Sequence, residues 1–123
     1  MTEMPLGRLV GHDLDMVSFV RDYVELRIDY CIVRALTDPS GRIGDAGWRL
    51  PEHGAADILR RYIGLTVIAT EVVEDDHLSL HFEGDAHIDV SLRPNDRVGP
   101  EAAHFVPSFP GTDRLDLAAM WVW

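Results

Sequence analysis

One alternating apolar pattern occurs twice in this chain, and that repetition limits the possible folds more than any other feature. In Tyr23-Val24-Glu25-Leu26-Arg27-Ile28, the residues Val24, Leu26 and Ile28 fall on one face, the period-two signature of a half-buried strand. A second apolar run, Cys31-Ile32-Val33-Arg34-Ala35, follows at once. With Asp29-Tyr30 as the loop, the hairpin register sets Ile28 opposite Cys31, Leu26 opposite Val33 and Val24 opposite Ala35. The other face then pairs Glu25 with Arg34. Asp29-Tyr30 lacks the glycine that a two-residue hairpin turn favours, so a longer loop is equally open.

About 54 residues later the pattern returns in His77-Leu78-Ser79-Leu80-His81-Phe82, with Ala86-His87-Ile88-Asp89-Val90-Ser91-Leu92 after the loop Glu83-Gly84-Asp85. A three-residue loop sets Phe82 opposite Ala86, His81 opposite His87, Leu80 opposite Ile88 and Ser79 opposite Asp89. A two-residue loop would put Phe82 against His87 and mix the wet face with the core face. β-prone runs precede both hairpins, at residues 16–20 and 65–73, so each unit reads as three antiparallel strands.

Between the units, Asp38-Pro39-Ser40-Gly41 reads as a turn, and the stretch through Gly44, Gly47 and Pro51 as loop. Residues 54–63 then place Ala55, Leu59 and Tyr62 on one helical stripe, and Gly64 suits the left-handed position past a helix end. Beyond residue 93, four prolines leave only short strands near 103–106 and 115–122. In the second of these, Leu115, Leu117, Ala119, Trp121 and Trp123 share a face and Met120 and Val122 lie on the other, which predicts a strand buried on both sides or one that covers the helix. The expected fold class is mainly β (α+β): an antiparallel sheet or partly open barrel made of two repeated β-hairpin units with one helix between them. The 123 residues suit one domain, divided as unit 1 (about 13–39), loop and helix (40–64), unit 2 (about 65–94) and C-terminal short strands (100–123).

Charge narrows the function. The formal net charge is -10, a field that repels phosphate backbones and anionic membranes, so neither nucleic acid nor membrane is an expected partner. Every cationic side chain is Arg; the absence of Lys removes Schiff-base and lysine general-base chemistry, and with the absence of Gln it suggests a GC-rich coding genome. Cys31, the single cysteine, lies in an apolar run where a thiol acts as a small hydrophobe. Residues 1–8 lack a basic region followed by an apolar stretch, and no 18-residue apolar segment occurs, so the expected location is cytoplasmic.

Several features coincide: the hairpin ending in Glu83-Gly84, the Leu-rich helix running into Gly64 before Thr66-Val67, the Glu101-Ala102 step, and the terminal Ala119-Met120-Trp121. Together, over about residues 11–123, they resemble a family of small acidic actinobacterial proteins known only as a domain of unknown function. That resemblance implies no activity.

The chemically unusual surface is the polar face of the second hairpin, where His77, His81, His87 and Asp89 fall together. His77 and His81 stand about 13 Å apart along a strand, which leaves His81, His87 and Asp89 as the candidate set for a divalent metal, the one cofactor expected if there is any. The plainer reading is that all four residues line the wet side of a sheet. Glu74-Asp75-Asp76 reads as a solvated turn, and no nucleophile elbow or phosphate loop occurs. Trp48-Arg49, in the long loop, is a candidate aromatic-cation interaction anchor, or Trp48 instead covers a sheet edge or the helix. The leading expectation is a non-catalytic interaction module, of immunity or regulatory type, that binds a basic protein partner. The alternatives are a small metal-dependent enzyme or ligand-binding barrel using the His/Asp cluster, and self-association into a homodimer through open sheet edges.

Overall fold

The structure is a computed structural model that describes residues 5–123; the first four residues of the stretch read for a leader segment lie outside the described residues. The described residues form ten strands: β1 (Leu14–Val20), β2 (Tyr23–Ile28), β3 (Cys31–Ala35), β4 (Ser40–Ile43), β5 (Ala46–Arg49), β6 (Val67–Val73), β7 (His77–Phe82), β8 (Ala86–Ser91), β9 (Ala103–Val106) and β10 (Trp121–Val122). One short helix, α1 (Ala55–Arg60), lies between β5 and β6. The strands make two antiparallel five-stranded sheets, ordered β1-β2-β3-β9-β10 and β5-β4-β8-β7-β6, without closing into a barrel.

Both hairpins take the register that their apolar alternation dictates. Ile28 pairs with Cys31 and Glu25 with Arg34 in the first, Phe82 with Ala86 and His81 with His87 in the second. The Asp29-Tyr30 loop does close in two residues, with φ of 52° and 62°. Two left-handed residues match the twist of the flanking strands, as a glycine-bearing hairpin turn would. Asp tolerates that region through its short polar side chain.

The repeat is longer than a hairpin, and its copies exchange parts. Meander β1-β2-β3 runs on into hairpin β4-β5, which joins the other sheet beside β8. Meander β6-β7-β8 runs on into β9-β10, which joins the first sheet beside β3. The likeness begins upstream of the strands, where Leu6, Leu9, Gly11 and Leu14 correspond to Leu59, Tyr62, Gly64 and Val67. Gly11 and Gly64 are both left-handed, with φ of 89° and 95°. Both first strands carry a register irregularity at the same place, between Leu14 and Met16 and between Val67 and Ala69.

The copies meet around a bridge between Asp13 and Thr66. Gly11 N–H donates to Val67 O (2.8 Å) and Gly64 N–H to Leu14 O (2.7 Å). Val67 N–H donates to His12 O (2.9 Å) and Leu14 N–H to Leu65 O (3.0 Å). Each bond reappears when the copies are interchanged, which is a local twofold relation. One hydrophobic cluster draws side chains from both sheets, with Leu14, Ile28, Leu59, Leu80 and Phe105 buried in it.

Three sequence expectations change. Residues 40–49 form the hairpin β4-β5 rather than turn and loop, because Gly41 allows a close approach: a Cβ there would stand 2.3 Å from the His87 carbonyl oxygen and 2.9 Å from the Trp48 ring. The helix stops at Arg60 and continues only as turns. The stretch 115–122 is not a strand buried on both sides; Leu117 lies in a 3-10 turn at 69% exposure, and apart from a lone bridge from Leu115 to Ser108 only Trp121–Val122 pairs, with β9.

Candidate functional site

The outward face of the second sheet is assembled by strand register. Reading across β5, β4, β8, β7 and β6 gives the row Arg49, Ser40, Asp89, Ser79, Glu71. The next row contains Arg42, His87 and His81, and a third places Ser91 beside His77. The predicted quartet therefore does share one face, as the pleat requires.

Its members divide into two groups. His77 sits between two carboxylates, with Nδ1 2.6 Å from Asp76 Oδ2 and Nε2 against Glu71 Oε1. Ionised carboxylates only accept, so this pair of contacts favours the ring with both nitrogens protonated, the imidazolium. Hydrogen bonds donated to Asp76, then to Glu71, raise the His77 pKa above its ordinary value. Reciprocally, His77 and then Arg93 hold the Asp76 carboxyl below its ordinary range. Arg93 Nε lies 3.0 Å from Asp76 Oδ1. His81 and His87 form the other group, with ring centroids 5.9 Å apart. His87 Nε2 lies 3.2 Å from Asp89 Oδ2, and Asp89 Oδ1 accepts from the Ser79 hydroxyl at 2.5 Å. Both oxygens of Asp89 are thus already engaged. Among the described residues no three His, Cys, Asp or Glu side chains are placed to hold a metal ion.

Of the predicted pair Trp48-Arg49, only Arg49 faces outward. Trp48 is 7% exposed, so it is a core residue rather than a surface anchor. Alternation along β5 turns it inward, where its indole N–H donates to the Tyr62 hydroxyl at 2.8 Å. Tyr62 in turn donates to His87 O at 2.9 Å, so the residues after α1, strand β5 and strand β8 are tied by one chain of hydrogen bonds. Burial pushes the Tyr62 pKa up to about 12, which keeps its proton available for that bond.

At the end of the sheet where β3 passes into β4, this face becomes a cleft of about 770 Å³. Three connections build its walls: Thr37-Asp38 before β4, Leu50-Pro51-Glu52 after β5, and the segment bearing Arg93 and Asp96 after β8. His77, Asp89 and Ser91 come from the sheet itself, and Asp76 from the turn between β6 and β7. Five carboxylates, Asp38, Glu52, Asp76, Asp89 and Asp96, thus face two guanidiniums, Arg49 and Arg93, and His77. Asp38 and Glu52 are exposed and enter no salt bridge among the described residues.

Asp38, Glu52 and Asp96 are the site residues that sequence reasoning missed. Each stands within two residues of a proline, in Asp38-Pro39, Pro51-Glu52 and Pro94-Asn95-Asp96, so the signal was the recurrence of acid with proline at strand ends. No family model, curated protein or solved structure matches the chain.

Proposed function

We propose that the chain is a non-catalytic interaction module, of immunity or regulatory type, that docks a basic partner protein against the acidic cleft of the second sheet. The observation that carries this reading is the placement of Asp38 and Glu52, two exposed carboxylates without salt-bridge partners among the described residues, on the walls of a cleft that holds three further acids. Two of the side chains on this face with acid-base capacity are engaged by neighbours: His77 by Asp76 and Glu71, and Asp89 by Ser79 and His87. The net charge of -10 supports the same reading, because a long-range negative field speeds encounter with a cationic partner and disfavours acidic ones.

A deca-arginine peptide is a suitable first probe, titrated calorimetrically at low and at moderate salt. Binding should weaken several-fold as salt screens the surface charges. The double variant Asp38→Asn/Glu52→Gln should weaken it further, whereas Asp113→Asn/Asp116→Asn, altered outside the cleft, should not. Equal losses from the two double variants would reduce the interaction to net charge and overturn the assignment to the cleft.

A further inference from the structure

A second cleft, of about 610 Å³, opens on the far side of the ridge formed by Thr37-Asp38 and Leu50-Pro51, which line both clefts. Its character is different. Phe19, Val24 and Ala35 contribute from register-aligned, core-facing positions at one end of β1, β2 and β3, and Leu50, Pro51 and Val98 also line it. Phe19 is 49% exposed and Val98 96% exposed. The other copy differs at the edge strand: Val72, equivalent to Phe19, packs against the core, while Leu78 and Val90 are buried as their equivalents Val24 and Ala35 are. The exposed apolar rim at Phe19 is therefore particular to the first copy rather than a property of the repeat.

Three acids, Asp22, Asp38 and Glu101, line this apolar cleft against one cation, Arg21. Its volume lies within the ~300–1,000 Å³ typical of concave binding sites. We infer that it receives an apolar anchor side chain, of leucine or aromatic type, from a segment whose flanking Arg or Lys residues occupy the acidic cleft across the ridge. The inference rests on the function proposed above and names the kind of segment that the partner presents. Charge decides the occupant: the acids favour an anchor flanked by cations, whereas a second copy of this chain would bring another net charge of -10 to a face that is already negative.

Two synthetic peptides of equal length and equal arginine content test this, one with a central Leu-Trp pair and one with Ser-Ser in its place. The anchored peptide should bind the full chain about tenfold or more tightly than the polar one, the margin expected from burying one large apolar side chain. Val98→Ser and Phe19→Ser should each shrink that margin severalfold; Val98 is so exposed that its replacement does not threaten the fold. Equal binding of the two peptides would overturn the anchor while leaving the acidic cleft as the docking site. Binding of neither would overturn both. A margin unchanged in both variants would place the anchor elsewhere, and sedimentation showing a dimer that Val98→Ser dissociates would assign the cleft to a second copy; either overturns the inference.

Discussion

The same cross-strand pair is filled in opposite ways in the two copies. In the second sheet, Gly41 pairs with Trp48, and the indole lies over the glycine at 7% exposure. In the first sheet the equivalent pair is Phe105 with Trp121; Phe105 fills the core at 2% exposure, and Trp121 stays half-buried, stacked on Trp123 at 6.2 Å. The backbone plan is shared, and the volume at each position is not. Interiors are packed to nearly constant density, so a large residue in one strand and a glycine opposite it can exchange places between copies provided the pair as a whole fills the gap. The inward turn of Trp48 follows from the missing Cβ at Gly41, and the partial exposure of Trp121 follows from the ring of Phe105.

The largest expected effect breaks the first-sheet arrangement. Phe105→Ala removes a fully buried ring and should destabilise the protein by about 3–5 kcal/mol in urea denaturation. A loss below about 1 kcal/mol would mean that Trp121 swings in over the gap as Trp48 does over Gly41, and the two sheets would then be interchangeable in packing. Next in size is Gly41→Ala. Its new Cβ would meet the His87 carbonyl at 2.3 Å, a backbone atom that cannot rotate away, so β4 and β8 must separate. A loss of about 1–3 kcal/mol follows, with the altered amide shifts centred on Arg42, Trp48 and His87. Wild-type stability in this variant would show that the second sheet has slack that its geometry conceals.

The comparison also shows how much could be read from the chain itself. Both hairpin registers were legible because period-two alternation and the one-face rule leave a single answer; the pairings of Glu25 with Arg34 and His81 with His87 follow from it. The strand β4 was not legible, because its central Gly41 carries no pattern until Trp48 is known to lie over it. The upstream likeness of Leu6, Leu9 and Gly11 to Leu59, Tyr62 and Gly64 was present in the letters, but a short helix gives too few turns for a periodicity to stand out. Leu115 and Leu117 alternate as a strand would, yet the segment returns to the sheet only at Trp121, and the alternation bought no pairing there beyond a lone bridge from Leu115 to Ser108. Of the candidate site, the histidine face was legible through register. The acidic cleft was not, because its walls are three connections that only the exchange of hairpins brings together.

The smallest effect sharpens the comparison at the outer faces. His77 in the second copy occupies the position of Tyr23 in the first; each follows an aspartate, Asp76 and Asp22, and each begins its strand. Tyr23 packs under the Arg34 guanidinium, 5.4 Å from its ring centre, whereas His77 lies between the carboxylates of Asp76 and Glu71. The His77 pKa is raised on folding, so its contribution is fully present below the unfolded value of about 6.5 and is lost as pH rises through the higher folded value. Asp76 acts in the opposite range: its lowered pKa makes its contribution present above the ordinary carboxylate range and lost as pH falls through the folded value. His77→Tyr installs the first copy's residue. Because the site is solvent-screened, the variant should be less stable than wild type by at most about 1 kcal/mol near pH 6, and the gap should narrow as pH rises above that range in thermal melts taken from pH 5 to 9. A gap that stays constant across that series would mean that His77 contributes packing, as Tyr23 does, and that the two outer faces differ in composition without differing in how they hold their strands.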